Sequence, residues 1–329
     1  MRHYPVMLPE VMDGLSPCDG ETYVDGTFGN GGYSEAFLRV ADCHVIGLDR
    51  DPNVGARADE LAQAFDGRFR LIETTFSQMD QYVDQVDGVV LDIGVSSMQI
   101  DQAERGFSFM REGPLDMRMS GQGVSAADAV KHMSRSDLEA IFKVYGEERR
   151  ARRVADFIVR AREEGDIVTT EALADVVEAA LGRSKGPSGK IHPATRVFQA
   201  LRIFINDELG ELYRGLCAAE RILKPGGRLI VVTFHSLEDR IVKAFLRRRS
   251  EAPARGSRYQ PESAASEFQG SFHLAKRGVV KPSVSELQEN PRSRSAKLRA
   301  AVRTDVPAFA RDDNLLPNVP SIHEVERML

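Results

Sequence analysis

The sequence predicts an α/β fold, a doubly wound and mostly parallel sheet interrupted by an all-helical insertion. Three observations carry this. Over the first hundred residues, short β-branched runs alternate with amphipathic stretches, the rhythm of a parallel sheet covered on both faces. From Ala126 to Leu209 the apolar residues recur only at helical spacing. Alternation then resumes, so the helices interrupt one domain rather than follow it.

Taken in order, the expected strands are "ETYVDGT" (21–27), "HVIGLDRD" (44–51), "RFRLIET" (68–74) and "VDGVVLDIGV" (86–95), each bounded by Gly or Asp. Between them "SEAFLRVA" and "PNVGARADELAQAF" read as helices, and the crossovers should be right-handed. The rhythm stops near Phe109. "SAADAVKHMSRSDLEAIFKVYG", "EERRARRVADFIVRAREEG" and "TTEALADVVEAALG" read as helices, as does "HPATRVFQALRIFINDEL" with Pro193 near its start. In the last, Val197, Leu201, Phe204 and Ile205 form the apolar side, and Arg196, Gln199, Arg202 and Asn206 form a stripe that reads as solvent-facing. "LYRGLCAAERILKPGG" reads as a helix ended by a Gly turn, before the strand "RLIVVTFHS" (228–236). In "SLEDRIVKAFLRRR", Ser236 and Asp239 have capping-box spacing. A mobile excursion is expected at 250–271, rich in Ala, Pro, Ser and Gly, and a late strand in "SAKLRAAVRT" (295–304). The expected division is a core of 1–108 and 211–304, a helical insertion of 109–210, and a C-terminal tail of 305–329.

Hydrophobic residues at 42% and charged residues at 28% suit a globular protein with a real core. Three scattered cysteines, Cys18, Cys43 and Cys217, make a disulfide framework unexpected and a reducing cytoplasm the expected location. No apolar run reaches the length of a membrane span, and "MRHYPVMLPEV" lacks the core of a signal peptide. The net charge of −5 hides an asymmetry: residues 240–303 hold 15 Lys/Arg against five Glu and no Asp. Such a segment is either a solvated basic edge or a local attractor of phosphate. Seven histidines are scattered with no Cys pair or H-E-x-x-H beside them, so no zinc site is expected and no metal ligand is assigned, while carboxylates alone do not disclose whether magnesium is needed.

The glycines of "DGTFGNGGYS" (25–34) stand at the end of the first strand. Glycine there lets the backbone turn tightly or approach a ligand closely. A doubly wound sheet binds ligands beyond the carboxyl ends of its strands. Three such ends carry an acid: Asp25, Asp49 and Asp92. Asp49 follows the glycines at the distance of a ribose-binding acid. The dinucleotide pattern G-x-G-x-x-G is incomplete, since Ser34 stands at its third position, and no P-loop motif is present. Three acids suit a cationic nucleoside cofactor, S-adenosylmethionine, better than a pyrophosphate. Three ordinary turn or cap aspartates would look the same.

At these residues the sequence resembles the ribosomal RNA small-subunit methyltransferase H family, enzymes that use S-adenosyl-L-methionine to methylate N4 of a cytidine in bacterial 16S rRNA. The matching stretches are "HYPVMLPEV" (3–11), "DGTFGNGGYS" (25–34), "GLDRDP" (47–52), "DGVVLDIGVSSMQID" (87–101), "RGFSF…GPLDMRM" (105–119), "HPATRVFQALRIFINDEL" (192–209), "LKPGGRLIVVTFHSLEDRIVK" (223–243) and "NPRSRSAKLRA" (290–300). They come in the family's order across nearly the whole chain. The resemblance implies a Rossmann-like class I methyltransferase sheet. It implies that Gly31, Gly32 and Tyr33 line the methionine end of the cofactor, that Asp49 holds the ribose and Phe76 the adenine, and that Asp92 and Gln99 complete the site. Two positions depart from the pattern: the family usually has His where Tyr33 stands and Pro where Met98 stands.

Methyl transfer from a sulfonium is an in-line displacement whose leaving group needs no acid, so alignment is the protein's main task. Acceptors that bind the hydrogens of the cytosine amine would help it attack. Asp92, Ser96 and Ser97 are candidates in the loop after the fourth strand; Asp116 and His235 follow, although a lone His is commonly a structural group. Lys190, Arg196, Arg202, Arg292, Arg294, Lys297 and Arg299 are candidate phosphate contacts around an RNA base splayed from its stack. The expected partner is 16S rRNA within a partly assembled small subunit. Rival readings are a nicotinamide-dependent oxidoreductase, a methyltransferase acting on DNA or free nucleotides, and a non-catalytic RNA-binding protein that keeps a cofactor pocket.

Overall fold

The computed structural model describes residues 5–95, 97–182, 192–251, 268–276 and 278–327. In chain order the elements are α1 (Leu8–Leu15), β1 (Thr22–Asp25), α2 (Gly32–Val40), β2 (His44–Asp49), α3 (Gly55–Ala64), β3 (Phe69–Glu73) and β4 (Val86–Asp92). Helices α4 (Ser97–Asp101), α5 (Ala126–His132), α6 (Arg135–Val144), α7 (Ala151–Glu164), α8 (Thr170–Leu181) and α9 (Ala194–Ile205) follow. The chain then forms α10 (Glu208–Ile222), β5 (Leu223–Thr233), α11 (Ser236–Ser250), β6 (Phe272–Leu274), α12 (Val284–Glu289), β7 (Lys297–Arg303) and α13 (Ile322–Glu326).

The chain divides into two compact units, one of Met1–Gly94 with Leu209–Leu316 and one of Val95–Glu208 with Pro317–Leu329. The first break therefore falls at Gly94 and not after residue 108. The stretch from Arg105 to Met117 is bonded within the helical unit: Met117 N–H donates to the Arg105 carbonyl (3.1 Å) and Leu115 N–H to that of Val168 (2.8 Å). Nor do residues 305–329 form one tail. Phe309 N–H donates to Glu220 Oε1 (3.1 Å) and Asp312 N–H to the Tyr213 hydroxyl (2.6 Å), which fasten the stretch to the sheet unit.

In the sheet unit the strands lie in the order β3-β2-β1-β4-β5-β7-β6. β1 to β5 are mutually parallel, and β7 runs antiparallel to both β5 and β6. The chain winds outward from β1 through β2 to β3, then returns to β4 on the other side of β1. That reversal, between β1 and β4, is a topological switch point, the place where doubly wound sheets bind ligands beyond the carboxyl ends of their strands. Val24, Leu48, Val90, Ile230 and Val231 are all buried, as the β-branched runs require of strands covered on both faces.

Two local expectations change. β5 starts at Leu223, before the Gly turn. Val86 pairs with Leu223 and Gly88 with Arg228, so Lys224 to Gly227 bulge out of register, with Gly226 at φ 85°. The glycines interrupt a strand rather than stop a helix. In α11 the cap lies one residue earlier than Ser236. His235 is the N-cap, and its capping-box partner is Glu238.

In the helical unit α6 packs on α7 and α9, and α8 on α7 and α9. Phe142, Ile158, Val177, Val197 and Leu201 are buried there. Much of the polar stripe of α9 is consumed internally, although Arg196 stays exposed. Asn206, 7% exposed, donates to the Met117 carbonyl (2.8 Å) and accepts from Met119 N–H (2.9 Å). Gln199 donates to the Tyr145 carbonyl (3.2 Å). Among the described residues, no helix is long and apolar enough to cross a membrane.

Candidate active site

The three strand-end acids sit as the sheet order dictates. Asp25, at the end of β1, is fully buried; its Oδ2 accepts from the Ser34 hydroxyl (2.8 Å). Burial, with a contribution from the Asp49 charge, pushes its carboxyl up to about 6 against the hydrogen bonds from Ser34 and Thr27. Asp92, at the end of β4, is pushed further, to about 8, by burial first and then by Asp25. Its backbone N–H donates to Thr27 Oγ1 (2.7 Å), which ties the first bend to β4. Its Oδ1 is buried without a hydrogen-bond partner among the described residues. A buried acceptor left in that state costs free energy, so this oxygen marks a place for a donor or a cation.

Asp49 holds the bend from β2. Its Oδ2 accepts from Gly29 N–H (2.8 Å) and its Oδ1 from Asp51 N–H (2.9 Å). A carboxylate has about four acceptor sites, so both oxygens keep capacity for hydroxyls. Burial raises this carboxyl above its ordinary value against those two hydrogen bonds.

The glycines answer to close packing. Gly31 caps α2 at φ 69°, and a Cβ there would lie 2.7 Å from the Phe28 ring. A Cβ on Gly32 would lie 2.9 Å from the Pro5 ring. Tyr33 is 4% exposed, stacks on Phe37 and donates its hydroxyl to the Val6 carbonyl; the same oxygen lies 3.4 Å from Asp92 Oδ2. It therefore joins the segment before α1 to the end of β4. Burial and the neighbouring Asp92 raise its pKa well above the ordinary tyrosine value. Phe76 opens the turn after β3, and its ring packs where a Cβ on Gly215 of α10 would come within 2.3 Å. One participant was not read from the sequence. Glu286, on α12, accepts from Met7 N–H (2.7 Å), and its charge is among those that raise Asp92. Nothing near Glu286 in the chain signals this, because its partner is 279 residues away.

Other candidates are engaged elsewhere. His235 accepts Glu238 N–H on Nδ1 (3.4 Å) and donates its backbone N–H to Glu238 Oε2 (3.1 Å), so it serves as a helix cap. In the helical unit Asp116 accepts from Arg118 Nε (2.9 Å) and its second amino group (2.6 Å). Burial opposes ionisation of Asp116, but Arg118 outweighs it and holds the carboxyl below the usual range. Ser97 starts α4 and Gln99 is buried within it; Ser96 lies outside the described residues.

The basic candidates divide similarly. Lys297 Nζ and Arg299 Nε share Asp239 at 3.2 and 2.8 Å. Arg202 makes a bidentate pair with Glu208 at 2.7 and 2.8 Å. Arg196 lies 3.7 Å from Glu148 and remains 47% exposed. Arg292 and Arg294 are exposed on the turn Pro291–Ser295, and Lys190 lies outside the described residues.

A family model described as the MraW methylase family matches residues 1–304. The chain belongs to the MraW methylase family. Among curated relatives of this MraW-type chain, proteins named "Ribosomal RNA small subunit methyltransferase H" are 56% identical in Maricaulis maris, over 99% of this chain and 98% of that one, and 56% identical in Parvibaculum lavamentivorans, over 94% and 92%. The family assignment agrees with the resemblance carried by the motifs. Among solved structures, an rRNA methylase from Streptococcus thermophilus gives a TM-score of 0.37 at 11% identity, over 93% of this chain and 99% of that one. A score that low leaves the fold resting on the sheet order itself.

Proposed function

We propose that this MraW-family protein is an S-adenosyl-L-methionine-dependent methyltransferase. Its target would be the N4 amine of a decoding-region cytidine in bacterial 16S rRNA, within a partly assembled small subunit. The observation that carries the cofactor part is the buried, unpartnered Oδ1 of Asp92 beside Asp25, at the switch point of the sheet. Burial raises both carboxyls, the Asp49 charge adds to this at Asp25 and the Asp25 charge at Asp92, and a cation placed beside them would restore their ionised form. S-adenosylmethionine supplies such a cation, together with an activated methyl group that departs from sulfur without an acid.

The chain's own residues have distinct tasks in this reading. Asp49 receives the ribose hydroxyls on oxygens already oriented by Gly29 and Asp51. Phe76, braced on Gly215, packs against the adenine. Gly31 and Gly32 bring the backbone close, while Tyr33 and Asp92 fix the methionine end; Gln99 would complete that set. Asp92 and Ser97 are the acceptors assigned to the hydrogens of the amine. Asp116 and His235, held by Arg118 and Glu238, would shape the site without moving a proton. Arg196 of the helical unit and Arg292 and Arg294 of the sheet unit would be the exposed candidates for phosphate contact.

Two measurements test this. Mass-spectrometric mapping of 16S rRNA from cells lacking the protein should reveal one cytidine without its N4 methyl group; an unchanged modification pattern would overturn the target. Asp49→Ala should weaken S-adenosylhomocysteine binding by calorimetry roughly tenfold to a hundredfold, the range for a lost hydrogen bond to a charged group, and leave RNA affinity in place. Stabilisation by NAD with indifference to S-adenosylhomocysteine would favour the oxidoreductase instead.

A further inference from the structure

Helix α7 carries its charge against its own dipole. Its 14 residues, ARRVADFIVRAREE, have no acid in the first turn and end in Glu163 and Glu164. Arg152 and Arg153 occupy the first turn behind Arg150, an N-cap whose side chain makes no capping bond. The N-terminal end of a helix is its positive end, so cations there are unfavourable. Such an arrangement normally draws a compensating acid.

Two acids nearby, Glu148 and Asp156, are spent elsewhere. Glu148 is buried; its Oε1 accepts Arg150 N–H (2.8 Å) and its Oε2 lies 3.7 Å from Arg196. Asp156 faces Arg135 of α6 at 3.4 Å. The Arg153 guanidinium rests over the Phe157 ring at 5.4 Å. Among the described residues, the Arg149 and Arg152 side chains have neither a hydrogen bond nor an ion pair. Arg149, Arg150, Arg152, Arg153 and Arg160 are all exposed, while Ala151, Val154, Ala155 and Ile158 of the same helix are buried. The arginines thus form a row on the outer face. From Arg149 to Arg160 the row runs roughly 16 Å at 1.5 Å per residue. That is too long for one phosphate or carboxylate and suited to a polyanion with regularly spaced charges.

We propose that this face of α7, extended by Arg196, docks the phosphate backbone of the RNA substrate. The inference rests on the rRNA reading above and adds a surface to it. Contacts of this kind position the substrate and carry no sequence information.

The test uses the full chain with Arg149, Arg152 and Arg153 all changed to Gln. Binding of a fluorescent small-subunit rRNA transcript is followed by anisotropy across a salt series, with S-adenosylhomocysteine affinity measured by calorimetry in parallel. The affinity for RNA should fall by ~10-fold or more, and the slope of log K against log salt should flatten by ~2 to 3, about one per lost phosphate contact. S-adenosylhomocysteine affinity should not change, and the corresponding triple change to Lys should restore most of the RNA binding. A Gln variant with wild-type RNA affinity and salt slope would overturn the docking surface and leave the rRNA reading standing. A wild-type protein that binds S-adenosylhomocysteine but no rRNA would overturn both. Arginine-dependent binding to phosphatidylglycerol vesicles, with RNA binding unaffected by the substitutions, would assign the surface to a membrane and refute the proposal.

Discussion

Helices α11 and α7 have similar lengths, 15 and 14 residues, and each has adjacent arginines in one terminal turn. In α11 the order follows the dipole, with Glu238 and Asp239 in the first turn and Arg247, Arg248 and Arg249 in the last. Its arginines are also neutralised: Arg247 lies 3.6 Å from Glu251, Arg248 pairs with Asp312, and Arg249 pairs with Glu220 at 2.6 Å. In α7 Arg152 and Arg153 open the helix while Glu163 and Glu164 close it behind Arg162, and among the described residues Arg149 and Arg152 have no ion pair. The same residue type therefore does two jobs. Where a carboxylate meets it, arginine fastens the fold. Where none does and the local field is already positive, arginine is left for an anion from outside.

The fastening role is tested most severely at Glu220. Its side chain is 0% exposed and that of Arg249 is 3% exposed. Glu220 also accepts from Phe309 N–H (3.1 Å), so it anchors the segment after β7 as well. Glu220→Gln leaves a buried guanidinium without its counter-charge, and such losses run to about 3–5 kcal/mol. Denaturant melts should show a large fall in midpoint. A fall no greater than that of an exposed pair would mean that Arg249 draws its stability from the Phe245 ring beneath it, 3.8 Å away.

Asp239 offers a smaller effect with a pH signature. It joins the first turn of α11 to β7 through Arg299 and Lys297. Burial opposes its ionisation, but those two cations outweigh burial and hold its carboxyl below the ordinary range. A carboxyl lowered on folding adds stability that is complete above its unfolded pKa, about 4, and is lost as pH falls through its folded value. Asp239→Asn should therefore cost about 1.5–3 kcal/mol at neutral pH, the range of hydrogen bonds to charged groups. The deficit should close in acid, where wild type loses the same contribution. An equal deficit at both ends of the pH range would assign it to packing.

The sheet was legible because strand periodicity and the acids that end each strand are local signals; Asp25, Asp49 and Asp92 lie where such a reading places them. Contacts between distant parts of the chain were not. Tyr33 meets Asp92 across 59 residues and Glu286 meets Met7 across 279. His235 carries the chemistry of a catalyst, and only the path of the chain into α11 shows it to be a cap. The basic residues were misleading for the same reason. Arg202, Lys297 and Arg299 look available in the sequence, yet each has a carboxylate supplied by the fold. The run "EERRARR" looks self-neutralising, yet Glu148 turns inward and leaves Glu147 as the run's one exposed acid among four exposed arginines.

The smallest effect is also the most direct test of the contrast, because one substitution should act with opposite sign at two sites. Arg153→Glu places an acid in the first turn of α7, within one helical turn of Arg149 and Arg150. The gain from the dipole, about 0.3–1 kcal/mol for a favourably placed charge, is partly offset by losing the exposed contact with Phe157, worth about 0.5 kcal/mol. A small net rise in stability is expected. Arg247→Glu places the same acid in the last turn of α11, four residues from Glu251. There it opposes the dipole, loses an ion pair and adds a like-charge neighbour, so stability should fall by about 0.5–1 kcal/mol. Paired denaturant melts at low salt resolve the two signs, and added salt should shrink both differences because each site is exposed. Two changes of the same sign would show that the helix dipole does not distinguish these ends. The bare arginines of α7 would then lose their standing as a place where folding stability is given up for an external anion.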